Sequence, residues 1–166
     1  MVRMDKVTIE LVAVEKPDDV NVIIGMAHFI KTAEDLYEAL VGSVPGIKFG
    51  LAFSEASSDR LIRTEGTDEA LTRLAAENLE RLHSGHSFLI MLKDCYPINV
   101  LNAVKSCQEV CAIYCATSNP VEVIVAASGQ GRGVLGVIDG SSPVGVESEA
   151  EASARRSFLR TIGYKR

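Results

Sequence analysis

The chain has no excess of basic residues: 17 lysines and arginines face 22 acids, for a net charge of -5. No basic run or basic-aromatic interleaving offsets this. The sequence therefore gives no footing for nucleic acid, whose binding rests on phosphate neutralisation. Among the four cysteines, Cys95, Cys107, Cys111 and Cys115, there is no CxxC pair and no nearby histidine, which disfavours a zinc site. They read as buried, reduced thiols, with Cys107, Cys111 and Cys115 spaced to share one face of a strand, and that usage fits a cytoplasmic protein. No uninterrupted apolar stretch approaches the ~20 residues of a spanning helix. The opening MVRMDKVTIELVAVEKPDD is too regularly charged for a secretory or membrane segment, so no membrane partner is expected. No repeat, low-complexity tract or composition shift divides the 166 residues, and one domain over 1–166 is expected.

What is present is a dense succession of short periodic segments. Residues 6–14, KVTIELVAV, alternate like a half-buried strand, and residues 21–27, NVIIGMA, read as a more buried one. Thr32 with Asp35 makes a weak capping box for a helix carrying Leu36, Tyr37, Leu40, Val41 and Val44, which Pro45 and Gly46 end. Two strands follow, 47–56 and 59–65, and a long amphipathic helix opens at Thr67 and stops before Gly85. SFLIMLK, residues 87–93, has the apolar continuity of a central strand. Pro97 suits the first turn of a short helix, PINVLNAVKS. Three consecutive strands, EVCAIYCAT, VEVIVAAS and GVLGVIDG, precede a last helix from about Glu149 to Ile162. Single helices inserted into a strand-rich chain predict an α/β protein of the α+β type, a mixed sheet with helices packed against it.

Few motifs carry chemistry. GRGVLG, residues 131–136, matches G-x-G-x-x-G in letters, but a strand follows it where a dinucleotide fold needs a helix. A glycine hairpin covering phosphates fits better, with Arg132 as an anion partner; the ordinary reading is a hairpin whose glycines supply positive φ. No HRD, DFG or VAIK segment accompanies it, and no Ser-His-Asp or Cys-His arrangement can be assigned by spacing. His28, in GMAHFIKT at a strand-to-helix corner, is either a satisfied core histidine or a phosphoryl acceptor, with Lys31 and the helix amides at hand for phosphate. His86 carries the same ambiguity, while His83 reads as structural at a helix C-terminus. Glu55, Asp94 and Asp139 lie at strand ends where carboxylates hold magnesium or simply meet solvent. Asn99 and Asn102 are candidates for hydrogen bonds to a ribose or base.

NVIIGMAHFIKT, EALVGSVPGIKFGLAFSEAS, YPINVLNAVKSCQEVCAIYCATSNPVEVIVA and GQGRGVLGVIDGSSPVGVE occur in this order over most of the chain. Together they resemble the adenosine-specific kinase family of small prokaryotic proteins. The resemblance implies a homotrimer binding adenosine or AMP between subunits, with a histidine able to carry phosphate. By motif that histidine is His28, assisted by Lys31, with His86 second. Gly131, Arg132, Gly133, Asn99, Asn102 and His86 are then the nucleotide contacts, Glu55 and Asp139 the magnesium ligands, and ATP the donor. At Ser54 relatives often carry cysteine, which argues against a required thiol there. The implied activity is phosphorylation of adenosine; the rival expectation is a sensor that binds AMP or adenosine without turnover.

Overall fold

The computed structural model describes residues 6–166 of the chain, in the order β1 (Thr8–Ala13), β2 (Val20–Ala27), α1 (Thr32–Ser43), β3 (Lys48–Ser54), β4 (Ile62–Gly66), α2 (Glu69–Leu82), β5 (Ser87–Lys93), α3 (Pro97–Ser106), β6 (Val110–Thr117), β7 (Val121–Ala127), β8 (Arg132–Asp139) and α4 (Glu149–Thr161). The expected α+β class holds. Its strands divide between two antiparallel sheets, ordered β4-β3-β5-β2-β6 and β1-β7-β8, rather than joining in one mixed sheet.

Burial explains the layering. β2 is buried at every position but Met26, and β5 at every position but Lys93, because both faces of the larger sheet are covered. One face, with Ile23, Phe49, Leu51, Phe53, Phe88, Ile90 and Leu92, packs on Leu36 and Leu40 of α1 and on Val100 and Val104 of α3. The other, with Val22, Ile24, Ala52, Leu89 and Met91, meets Leu71, Ala75 and Leu79 of α2 and the valines of β7. A two-residue period read over these strands is what sorts the two cores.

α2 begins at Asp68, whose carboxylate accepts from the Leu71 amide at 3.0 Å, as an N-cap should. α1 begins differently from expectation. Lys31 occupies the cap position with helical dihedrals and no side-chain cap bond, and Thr32 lies inside the helix, its hydroxyl donating to the Phe29 carbonyl. The cysteine reading is also corrected. Cys95 and Cys115 are buried, Cys107 is partly so at the end of α3, and Cys111 is exposed. The pairing of β6 with β2 skips Tyr114 and Cys111, so two bulges interrupt the alternation that would have put the thiols on one face. Burial pushes the Cys115 thiol up to about 11 and raises Cys95 and Cys107 as well.

Gly50 is fixed by packing: a Cβ there would lie 2.0 Å from the Thr72 nitrogen, in the backbone of α2. Gly42 in α1 faces open space. Gly50→Ala is therefore expected to destabilise the fold by about 3 kcal/mol or more, while Gly42→Ala stabilises it by up to ~1 kcal/mol; urea melts with unchanged slope would check both. A thiol reagent should modify Cys111 rapidly in the native protein, and reach Cys95 and Cys115 only on the timescale of unfolding.

Candidate functional site

At one end of the larger sheet the chain leaves β2 at Ala27 and enters β5 through His86. The His86 amide donates to the Ser54 carbonyl at 2.7 Å, and its own carbonyl accepts from the Ala27 amide at 3.0 Å. His86 holds a left-handed φ of 61°, and its ring stacks on Phe53 at a centroid distance of 5.9 Å and 15° between planes. His28 follows Ala27 directly, its amide bound to the Glu109 carbonyl at 3.1 Å. The two histidines, with Phe29, Ile30, Phe53, Glu55, the Ser57-Ser58-Asp59 turn and Arg63, line a cavity of 390 Å³, a volume in the range of small-molecule sites.

A longer open groove of 1320 Å³ shares Glu55, Ala56, Asp59 and His86 with that cavity, so the two meet at His86. Its walls include Arg60, His83 and Ser84 on one side and Gln130, Gly131, Arg132 and Gly133 on the other. Arg132 pairs with Glu10 at 3.0 Å, leaves its buried Nε without a protein partner, and gives its carbonyl to the Ser84 hydroxyl. The loop glycines do not have the positive φ read for them, and a Cβ on Gly131 or Gly133 would meet nothing. Their bareness leaves open backbone along the groove instead. Among the described residues, five non-glycine positions have positive φ, and four of them, Ser58, Arg60, His83 and His86, line these cavities. Such backbone costs of order 1–3 kcal/mol per residue and clusters at functional sites.

Lys31 is turned away from the cavity. Its ammonium meets the Asp35 carboxylate and stands 3.5 Å from Oε2 of Glu109. Glu109 is 1% exposed, and neither of its oxygens has a hydrogen bond. The hydrogen bond to Asp35 raises Lys31 above the ordinary lysine range, and the same bond holds Asp35 below the carboxylate range. The cluster braces the His28 corner from behind.

The remaining candidates do not converge. Glu55 accepts from the Leu61 amide at 3.0 Å and from Arg63 at 2.8 and 2.9 Å; the Leu61 amide foremost, then Arg63, keep its carboxyl low. Asp139 accepts from Thr117 and Asn119 at 2.8 and 3.1 Å. It ends the strand that Arg132 begins, on the order of 20 Å away. As a pair these two carboxylates do not fit a magnesium site. Asn99 caps α3 by accepting from the Tyr96 amide at 3.0 Å, and neither it nor Asn102 lines the cavity or the groove. Phe53, the Ser57–Asp59 turn, Arg60 and Arg63 are site residues that motif reading missed, and His83, read as structural, lines the groove. The polar Ser-Ser-Asp-Arg turn was their visible signal.

Removing the Lys31 charge strands a buried carboxylate. Lys31→Met should lower the melting temperature by several degrees, and adding Glu109→Gln should recover most of the loss. A depressed Asp35 contributes stability above its unfolded pKa, lost as pH falls through its lower folded value. The raised Lys31 contributes below its unfolded pKa, lost as pH rises through its higher folded value. The gap between wild type and Lys31→Met should thus hold through neutral pH and shrink below about pH 4, as melts across pH would record.

Comparison with known proteins bears on the whole of this arrangement. No curated protein matches the chain. A crystal structure of the PH1918 protein from Pyrococcus horikoshii OT3 is 45% identical, with a TM-score of 0.93 over 97% of this chain and 99% of that one. The family described as adenosine specific kinase matches residues 12–165. By that match over nearly its whole length, the chain belongs to the adenosine-specific kinase family.

Proposed function

We propose that the protein transfers a phosphoryl group to adenosine, with adenosine in the cavity of His28 and His86 and the donor along the groove of Arg132. The observation that carries this reading is the junction of the two spaces at His86, with His28 facing the smaller. Phe29 and Ile30, about half exposed on the cavity wall, and the Phe53–His86 stack suit a flat apolar base. Gly131, Arg132 and Gly133 offer open backbone and a guanidinium to phosphate oxygens, and Arg60 adds a second cation at the mouth. Magnesium enters with the nucleoside triphosphate as substrate, since Glu55 and Asp139 do not assemble a site for it.

In the first half-reaction a neutral imidazole nitrogen of His28 attacks the terminal phosphorus. The N–P bond forms as the bond to the bridging oxygen breaks, and the diphosphate leaves with that electron pair. In the second, a ribose hydroxyl oxygen attacks the same phosphorus, the P–N bond breaks, and the nitrogen recovers its electron pair. The hydroxyl proton passes to Asp59 on the rim. Two displacements make the kinetics ping-pong and retain configuration at phosphorus. Lys31 acts at a distance, by positioning the His28 corner. A homotrimer, with the cavity closed by a neighbouring subunit, and a cytoplasmic location complete the reading.

A second reading, a sensor that binds AMP or adenosine without turnover, is favoured by the commitment of Glu55 to Leu61 and Arg63. Intact mass and product analysis separate the two. The kinase requires a phosphoryl adduct after incubation with ATP and magnesium, discharged by adenosine as AMP, and both lost in His28→Ala. AMP formed by His28→Ala at the wild-type rate would sink the histidine intermediate, and nucleotide binding without any AMP would establish the sensor. Arg132→Met should lower kcat/KM by about 10²–10³-fold, while retaining the fold by circular dichroism.

A further inference from the structure

Residues 141–166 form a largely exposed arm. α4 has a complete N-terminal capping box at Ser148 and Glu151, yet within it only Ala152 is buried and Leu159 half-buried. Val144 and Val146 are fully exposed, and Phe158, Ile162 and Tyr164 are 45–59% exposed. The Gly140 amide on the Pro120 carbonyl is the last tie. Among the described residues no hydrogen bond or ion pair joins 141–166 to the rest, and Arg155 pairs with Glu147 inside the arm. A helix of 13 residues is marginal in water without packing. The similarity to the Pyrococcus structure covers 97% of this chain and so extends into the arm.

The body carries a matching vacancy of partners. In the three-stranded sheet Val123 and Val125 face inward and are fully buried. Ile9 and Leu11 lie opposite Ala126 and Ile124 on the other face, and Ile138 lies opposite Glu122 on it. Ile9, Leu11 and Ile138 are 42–68% exposed, as is Leu135, the extra residue of a bulge. An antiparallel sheet with one solvated face ordinarily alternates apolar and polar residues; here the outer face is largely apolar as well, with Glu122 as a charged member. Charge agrees with the fit: the arm has five basic residues and three acidic ones, which leaves -7 on the rest of a chain whose net charge is -5.

We propose that this arm packs on the outer face of the three-stranded sheet of a second copy of the chain. Phe158 of α4 and Ile162 at its C-cap, one turn apart, would cover Ile9, Leu11 and Leu135 of the neighbour. The contact is heterologous, arm to sheet, so three copies can close a ring. It deepens the homotrimer reading by naming the surfaces.

The test compares the full chain with an arm variant, Phe158→Glu with Ile162→Glu, and a face variant, Ile9→Glu with Leu135→Glu. Light scattering on the eluting protein reads the mass, and circular dichroism checks the fold. The full chain should run as an oligomer and each variant should fall toward the 17.9 kDa protomer. An equal mixture of the two variants should recover a larger species, because the intact arm of one meets the intact face of the other. A trimer that both variants preserve, or a mixture that stays monomeric, overturns the arm contact and leaves the trimer standing or in need of another surface. A monomeric full chain overturns both, whatever the outcome for AMP formation. All substituted side chains are exposed in the protomer, so loss of mass with an unchanged spectrum reads assembly and not unfolding.

Discussion

The backbone of His86 spends its amide on β3 and its carbonyl on the end of β2, and does so in a left-handed conformation. Everything at this end of the molecule depends on that pair of bonds. They set the distance between His28, which follows β2, and Phe53 and Glu55, which end β3. The same φ that makes the bonds possible aims the imidazole over Phe53. Stacking is a small term, about 0.5–1.5 kcal/mol, so it does not by itself hold a strained residue. The two main-chain bonds and the buried strands on either side do, which places the ring by scaffold rather than by its own contacts.

The scaffold can bear this because its central strands are covered on both faces. α1 and α3 lie on one side of the five-stranded sheet, and α2 with the smaller sheet lies on the other. The groove exists where the smaller sheet leaves the larger one uncovered beyond Ala127, and Arg132 enters it as the first residue of β8. Its pairing with Glu10 fastens that guanidinium to β1 across the intervening strand. The positions of the groove's cation and of the histidines thus come from two different sheets, joined through the packed face of β7 and α2 and through the hydrogen bonds of Thr117 to Asp139 and of Ser84 to the Arg132 carbonyl.

Local pattern made the elements legible. The alternation of KVTIELVAV, the unbroken apolar run of SFLIMLK and the turn residues Pro45-Gly46 and Gly129-Gln130-Gly131 each act within a few residues, and the strands and helices fall where those signals put them. Pairing is not local. β2 lies between β5 and β6, about 65 to 90 residues later in the chain, and nothing in a strand's own sequence states whether its neighbour runs parallel or antiparallel. The bulges at Cys111 and Tyr114 escaped for the same reason, since they are defined only against β2. His28, His86 and Arg132 could be chosen by chemistry because each stands beside a break in an apolar run. Lys31 could not be judged so, because its partner Glu109 is 78 residues away and reads, in sequence, as one more carboxylate before a strand.

Net charge gives a poor guide to what this site can bind. A surface of -5 opposes a polyphosphate at long range, but beyond about 8 Å at physiological salt that opposition is largely screened. Inside that distance the individual pairings decide. Asp35 and Glu109 are answered by Lys31, Glu55 by Arg63, and Glu10 by Arg132. Among the described residues Arg60, at the mouth, has no carboxylate within 4 Å. An arriving phosphate therefore meets the unpaired guanidinium of Arg60, while Glu55 on the cavity wall is already paired with Arg63. Asp59 and Glu80 line the same walls with no cation within 4 Å among the described residues, so the entrance carries both signs, and a phosphate there engages the unpaired guanidinium of Arg60 rather than a net positive field.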